Sequence, residues 1–368
     1  MRRSSVRVRT LSTAAVYVVL GFVVVAALVV STGAGLGDAL SGWFVGAFGN
    51  GYNLVQTLSN ATPLALVAVG VAIALRANVI TVGAEGQMIV GAIFATGVSL
   101  WLGDSVALPI GLLLGALAGI VGGALWALPA ALAKVRWNVN EILFTLLANY
   151  IATYQLVFLL RTVLRDPTSA GSPQSAELPG AFVLFQLPLP GRLHFGAVIV
   201  VVIVAAAVWW NASRSAFLVD VYGQRPILAA RLGLTPARAV IGTMLVSGAA
   251  AGLAGWMQVA GVTQRLEPDV SGGIGFAGLA VAVLGRGNPV GIVIAAIVYA
   301  SLGTGASGVQ IATGTVPTSI GTVSQGVLLL AAALALSADK LAARSAARSA
   351  ARSGVRSGAE QRAKEVSA

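Results

Sequence analysis

The chain has 368 residues, of which 57% are hydrophobic and 10% charged, and its formal net charge is +11. A soluble domain typically carries about 25% charged residues, so this composition excludes an ordinary soluble fold. With no Cys the chain has no means for disulfides, zinc-thiolate sites or thiol nucleophiles, and its single His, His194, rules out most His-based metal or triad chemistry.

Apolar runs of about 20 residues recur along the chain, the signature of a polytopic all-α membrane protein. Ten spans are read, at 14–30, 61–76, 84–102, 107–133, 142–160, 194–212, 239–259, 275–284, 289–306 and 320–338. The first run follows Arg2, Arg3, Arg7 and Arg9, the pattern of a signal peptide. It is long and lacks a small-x-small site followed by a soluble domain, so it is read as an uncleaved span. At about 1.5 Å per residue the eighth run covers only half a bilayer. It is expected to be a half-helix, or else to begin nearer Pro268.

With the N-terminus in the cytoplasm, alternating spans place 19 of the 23 Lys and Arg inside and 4 outside, namely Arg161, Arg165, Arg192 and Arg265. That asymmetry obeys the positive-inside rule and puts both termini in the cytoplasm. The positive charge therefore points to anionic lipid and a partner surface, not to nucleic acid. Segment 1–13 is a basic cytoplasmic N-terminus, 14–338 the membrane domain, and 339–368 a basic tail, expected to be disordered. That tail repeats A-A-R-S, with Arg344, Arg348, Arg352 and Arg356 four apart, which reads as a solvated or lipid-skimming stripe. Two outside loops are long. Segment 31–60 carries Leu40, Trp43, Phe44, Ala47 and Phe48, which predicts a short interfacial amphipathic helix. Segment 162–193 is rich in Pro, Ser and Gly and reads as irregular.

Four polar stretches stand out. In Asn78–Met88, Glu85 and Gln87 enter the third span beside Gly83 and Gly86. Glu85 is either a first-turn acid favoured by the helix dipole near water, or part of a transport path or gate. In Asn138–Tyr150, Asn140 reads as an N-cap and Glu141 complements the helix N-terminus. Thr145 and Asn149 lie deeper, and a mid-membrane Asn needs a partner, either a neighbouring helix or a polar solute. In Glu267–Pro289, Gly272, Gly273 and Gly275 permit irregular backbone beside a cavity, on the outside by the alternation of spans. The run lacks a following Lys and fits no G-x-x-x-x-G-K-[ST] pattern, and the chain's three lysines, Lys134, Lys340 and Lys364, follow no Gly. The fourth stretch, 213–238, is the longest polar break on the basic side. Arg225-Pro226 opens a short helix there, Gly233 stops it, and Thr235-Pro236 caps the next span. No catalytic residue, metal site or cofactor is expected anywhere in the chain.

These stretches together resemble the permease subunits of ABC importers for simple sugars and nucleosides, within the branched-chain amino acid and ribose permease family. The matching pieces are VGAEGQMIVGA (82–92), NVNEILFTLLANYIA (138–152), YGQRPILAARLGL (222–234) and GGIGFAGLAVAVLGRGNPVGIV (272–293). The first two lean towards the nucleoside branch. The resemblance implies a non-catalytic transport subunit in a prokaryotic plasma membrane. It also implies three partners: an ATPase subunit, a second permease forming a heterodimer, and an extracytoplasmic solute-binding protein. It further implies that the loop carries an ATPase-coupling helix, at Gly223, Pro226, Ala229, Ala230, Arg231 and Gly233. The candidate path residues are Glu85, Gln87, Thr145, Asn149, Gly272, Gly273 and Gly275. Relatives often have Phe-Asn-Ile before Gly-Ala-Glu-Gly-Gln, where this chain has Val79-Ile-Thr-Val82. The competing reading is an ion-coupled secondary transporter or channel, which needs mid-membrane acids. Glu85 is the one candidate for that role.

Overall fold

A computed structural model describes residues 21, 23–168, 171–331 and 334. The basic N-terminal segment, the first half of the first apolar run and the arginine-repeat tail lie outside the described residues. The described chain is helical. Its elements are α1 (Val23–Ser31), α2 (Leu36–Phe48), α3 (Gly51–Arg76), α4 (Ala84–Leu102), α5 (Leu108–Trp137) and α6 (Glu141–Arg161), followed by α7 (Gly196–Asn211), α8 (Arg214–Gln224), α9 (Pro226–Arg231), α10 (Pro236–Gln258), α11 (Ile274–Leu284), α12 (Pro289–Thr313) and α13 (Ser319–Ala331). A π-turn over Val259–Thr263 extends α10.

Six of these helices are long and apolar enough to cross a membrane, or up to eight if each of two sharply bent pairs is one span. The bent pairs are α1–α2, at 111°, and α7–α8, at 72°. With the family assignment below, this is a multi-pass membrane protein. A helix overlaps each of the ten runs read from sequence, but α11 and α13 are short of a full span.

Caps set several boundaries, as the sequence leads one to expect. The Asn140 side chain accepts hydrogen bonds from the N–H groups of Ile142 and Leu143 at 3.0 and 3.4 Å and opens α6. Lys134 pairs with Glu141 at 2.8 Å across the tight α5–α6 turn. Thr235 and Asn288 cap α10 and α12, each followed by Pro.

The centre is a crossing of α4, α5 and α10 at small residues. A Cβ on Gly252 of α10 would lie 2.1 Å from the Gly119 carbonyl oxygen of α5. Backbones this close exchange dispersion contacts directly, which is how helices associate where lipid offers no hydrophobic drive. Around the crossing, Trp256, Met88, Met257 and Phe182 are fully buried. By contrast, α6 turns Leu143, Leu147, Tyr150, Tyr154 and Phe158 outward.

Two loops differ from expectation. The helix read as interfacial does form, as α2, but it folds back and packs on α12. Trp43 Nε1 donates to the Ser301 carbonyl at 3.0 Å, and a Cβ on Gly46 would lie 2.7 Å from Gly308. Its Gly42 and Gly46 form a small-residue face that an amphipathic reading overlooks. The described part of segment 162–193 is irregular, as predicted, apart from one 3-10 turn at Gly180–Phe182, yet it is pinned. Leu178, Leu184 and Ser175 donate backbone hydrogen bonds to Gln264, Ala260 and Leu266 at 2.9, 2.9 and 3.0 Å, and Phe182 is buried beneath.

Candidate translocation site

The chain from Asn78 to Gly83 is not helical, yet Val79, Thr81 and Gly83 are buried. Irregular backbone at membrane depth must be satisfied by protein. Here Asn149 supplies the partners: its Nδ2 donates to the Val82 carbonyl at 3.0 Å and its Oδ1 accepts from Gly86 N–H at 3.0 Å. Thr145 donates to the Glu141 carbonyl at 2.7 Å and packs its side chain against Gly83. Thus α4 starts inside the protein, held by a side chain eight residues, about 12 Å, along α6.

Glu85, in the first turn of α4, reaches across to the glycine loop before α11. Its Oε1 accepts from Ser271 Oγ at 2.6 Å and Gly273 N–H at 3.3 Å, and its Oε2 accepts from Gly275 N–H at 2.8 Å. The carboxylate therefore caps the N-terminus of α11, where the helix dipole and orphan N–H groups favour negative charge. Gly273 sits at φ +77°, a conformation L-residues resist, and a Cβ on Gly275 would lie 2.2 Å from the Glu85 nitrogen. One turn on, a Cβ on Gly278 would meet Val67 of α3 at 2.4 Å. Val67 lies nine residues, about 13 Å, from the end of that helix.

Glu85 is 7% exposed and enclosed by the bundle together with the glycine loop, so it is not the first-turn acid beside water that one sequence reading offered. An 11-residue α11 rises only about 16 Å, about half of a hydrocarbon core of about 30 Å, as the half-helix expectation had it.

The loop forms one wall of a cavity of about 190 Å³, shared by α3, the end of α10, α12 and α13. Gly272 and Gly273 meet Asn60, Gln258, Tyr299 and Gln325 there. The cavity adjoins a wider vestibule of about 790 Å³ between α2, α3 and α12, the two sharing Asn60 and Gly303. Asn53, Gln56 and Ser307 add polar groups to that vestibule. Among the described residues, no charged side chain lines either space. Amides and hydroxyls both donate and accept, so such a wall suits a neutral, hydroxyl-rich solute.

At the other end of α3, the loop from Ser213 builds α8 and α9. Ser213 caps α8 through a 3.2 Å bond from Ala216 N–H. After α9, Gly233 adopts φ +99°, Leu234 N–H donates to the Ala229 carbonyl at 2.9 Å, and Gly233 N–H donates to Ala230 at 3.1 Å. This is a Schellman stop. Pro226, Ala230, Arg231 and Gly233 are exposed, together with Ile227 at 75% and Leu228 at 42%. Ala229 is buried, and Gly223 packs its backbone on the Arg76 carbonyl.

A family described as the permease component of branched-chain amino acid transport systems matches residues 53–333. The chain belongs to that family. The permease is 32% identical over 292 residues, 76% of its own length and 80% of the relative's, to the guanosine ABC transporter permease protein NupP of Bacillus subtilis. It is 30% identical over 275 residues, 71% of each chain, to the glucose ABC transporter permease protein TsgB13 of Haloferax volcanii. It is 27% identical over 276 residues, 70% of its own length and 72% of the relative's, to the nucleoside ABC transporter permease protein NupB of Lactococcus lactis. No solved structure matches it.

Of the permease's sequence-predicted path residues, Glu85, Gly272, Gly273 and Gly275 come together. Thr145 and Asn149 pack behind them on Gly83 and Gly86, as the neighbouring-helix alternative required. Gln87 is buried one turn along α4, and its Oε1 has no hydrogen-bond partner among the described residues. Of the permease's predicted coupling residues, Gly223 and Ala229 face inward and the rest face solvent. The sequence reading missed Asn60, Gln258, Tyr299 and Gln325. A signal existed on α3, since Asn53, Gln56 and Asn60 recur at helical spacing on one face.

Proposed function

We infer that the chain is the non-catalytic translocating subunit of an ATP-driven importer of nucleosides or simple sugars, moving its solute by alternating access. The observation that carries this reading is the polar cavity, free of charged side chains among its described lining residues, that adjoins the vestibule and is walled by the Glu85-capped glycine loop. The names of the guanosine, nucleoside and glucose permeases above support the solute class. Exposed Ile227, Leu228, Ala230, Arg231 and Gly233 present a short rigid helix to a partner ATPase. A second, different permease and an extracytoplasmic binding protein complete the assembly, in a prokaryotic plasma membrane. Ten spans with both termini cytoplasmic fit the distribution of Lys and Arg. The ion-coupled alternative loses its one candidate acid, because both Glu85 oxygens are engaged by Ser271 and loop N–H groups.

The test is reconstitution with the partner ATPase, second permease and binding protein in liposomes, using radiolabelled guanosine, ribose and glucose. ATP-dependent accumulation of at least one is expected. Uptake by this chain alone, driven by a proton or sodium gradient without ATPase, refutes the reading.

A further inference from the structure

Three helices of the permease converge on Arg76, the last residue of α3. Its Nε and one terminal nitrogen donate to the two carboxylate oxygens of Asp220, each at 2.6 Å. Its other terminal nitrogen donates to Asn211 Oδ1, at the end of α7. The guanidinium carbon lies 5.0 Å from the centre of the Trp210 ring. Its carbonyl oxygen abuts Gly223, where a Cβ would come within 2.1 Å. A small apolar core of Ala74, Ala77, Val79, Val219 and Met244 packs around the same junction.

The two-pronged Arg–carboxylate pair fixes orientation as well as distance, which a single-point contact does not. Asp220 sits mid-way along α8, and Gly223 one turn later, just before the Arg225 joint into α9. A displacement of α9 therefore reaches α8 first and α3 through Arg76. Along α3, Pro63 stands 13 residues, about 20 Å, from Arg76. There Pro63 removes a helix hydrogen bond, a natural flexing point. Pro63 and neighbouring Asn60 both line the cavity. We propose that the Arg76–Asp220 pair, backed by Asn211 and Trp210, is the joint that transmits motion of the docking helix α9 to the cavity wall on α3. Arg76 and Asp220 act here as positioning residues that touch neither solute nor ATPase.

The inference rests on the importer reading, and the experiment separates the two. The complete transporter is reconstituted as Asp220→Asn, Arg76→Asp and the exchanged pair Arg76→Asp/Asp220→Arg. Solute taken up per ATP hydrolysed is measured with whichever of guanosine, ribose and glucose the wild type carries, and ATPase subunit co-purifying with each variant is quantified. Both single variants are expected to lose about tenfold in uptake per ATP, a typical coupling free energy, with co-purification unchanged. The exchanged pair is expected to regain part of the loss. Unchanged uptake per ATP in the single variants overturns the inference. So does a parallel fall of uptake and co-purification, or an exchanged pair that recovers nothing. A wild type without ATP-dependent uptake sinks the importer reading instead.

Discussion

The two polar knots of this permease, around Glu85 and around Arg76, solve one problem by opposite means. Each ties a long helix to a neighbour through an ionisable side chain. Inside the bundle, Glu85 meets no counter-ion among the described residues; a hydroxyl and two backbone N–H groups at a helix start satisfy its oxygens. At the end of α3, Arg76 meets a full charge, Asp220, whose side chain is 42% exposed. Where water is absent, fixed dipoles that belong to the fold carry the charge, and the glycine loop of the knot is part of a cavity wall. Where water is present, a side-chain ion pair suffices, and the knot is free to serve as a joint.

The strongest way to break that contrast is Glu85→Ala. It strands Ser271 Oγ and the N–H groups of Gly273 and Gly275, and each buried unpaired group costs about 1–3 kcal/mol. Loss of uptake and a clear drop in thermal unfolding midpoint are expected, with Glu85→Gln falling between wild type and Glu85→Ala because its amide oxygen still accepts. Wild-type uptake in Glu85→Ala would refute the capping role. Next in size are Ala230→Asp and Gly233→Val. Ala230 is exposed on α9, and Gly233 holds φ +99°, which a β-branched residue resists. Transport is expected to be abolished with membrane insertion intact, and ATPase co-purification to fall about thirtyfold or more, the scale of an interface hot spot. Normal uptake in both variants would remove the docking role of α9.

A smaller effect tests the cavity itself. Asn60→Leu deletes an amide, with its two N–H donors and its acceptor oxygen, from the wall shared by cavity and vestibule. A net hydrogen bond contributes about 1 kcal/mol, so uptake should fall by about fivefold to tenfold while the amount of bound ATPase is unchanged. Uptake equal to wild type would move the solute path away from α3.

What was legible in the sequence divides along the same line. Caps are local, so Asn140, Thr235 and Gly233 were read correctly from a few neighbouring residues. The short helix α9 was legible because Pro226 and Gly233 bracket it within eight positions. Glu85 and the glycine run were both singled out, but 186 residues separate Glu85 from Ser271 and nothing local says they touch. Span alternation likewise says nothing of what the glycine run packs on. Its contacts show only when the 11-residue α11 is set against α3 and α4. The amides of the cavity, spread over α3, α10 and α13, each look like an isolated polar residue in an apolar run.

The smallest expected effect concerns a third charged contact. Arg265 donates to Glu177 across the pinned outer loop, and the two side chains are 28% and 71% exposed. The pair resembles Arg76–Asp220 in chemistry but not in setting. An exposed pair contributes roughly 0–1 kcal/mol and is weakened by salt. The loop is held instead by its backbone bonds to Ala260, Gln264 and Leu266 and by buried Phe182 and Leu184. Glu177→Gln should therefore shift the unfolding midpoint hardly at all and leave uptake intact, whereas Phe182→Ala should cost about 3–5 kcal/mol by opening a cavity under the loop. If Glu177→Gln proved as costly as Phe182→Ala, exposure would not be what separates a structural ion pair from an incidental one in this molecule, and the weight placed on the setting of Arg76 would fall with it.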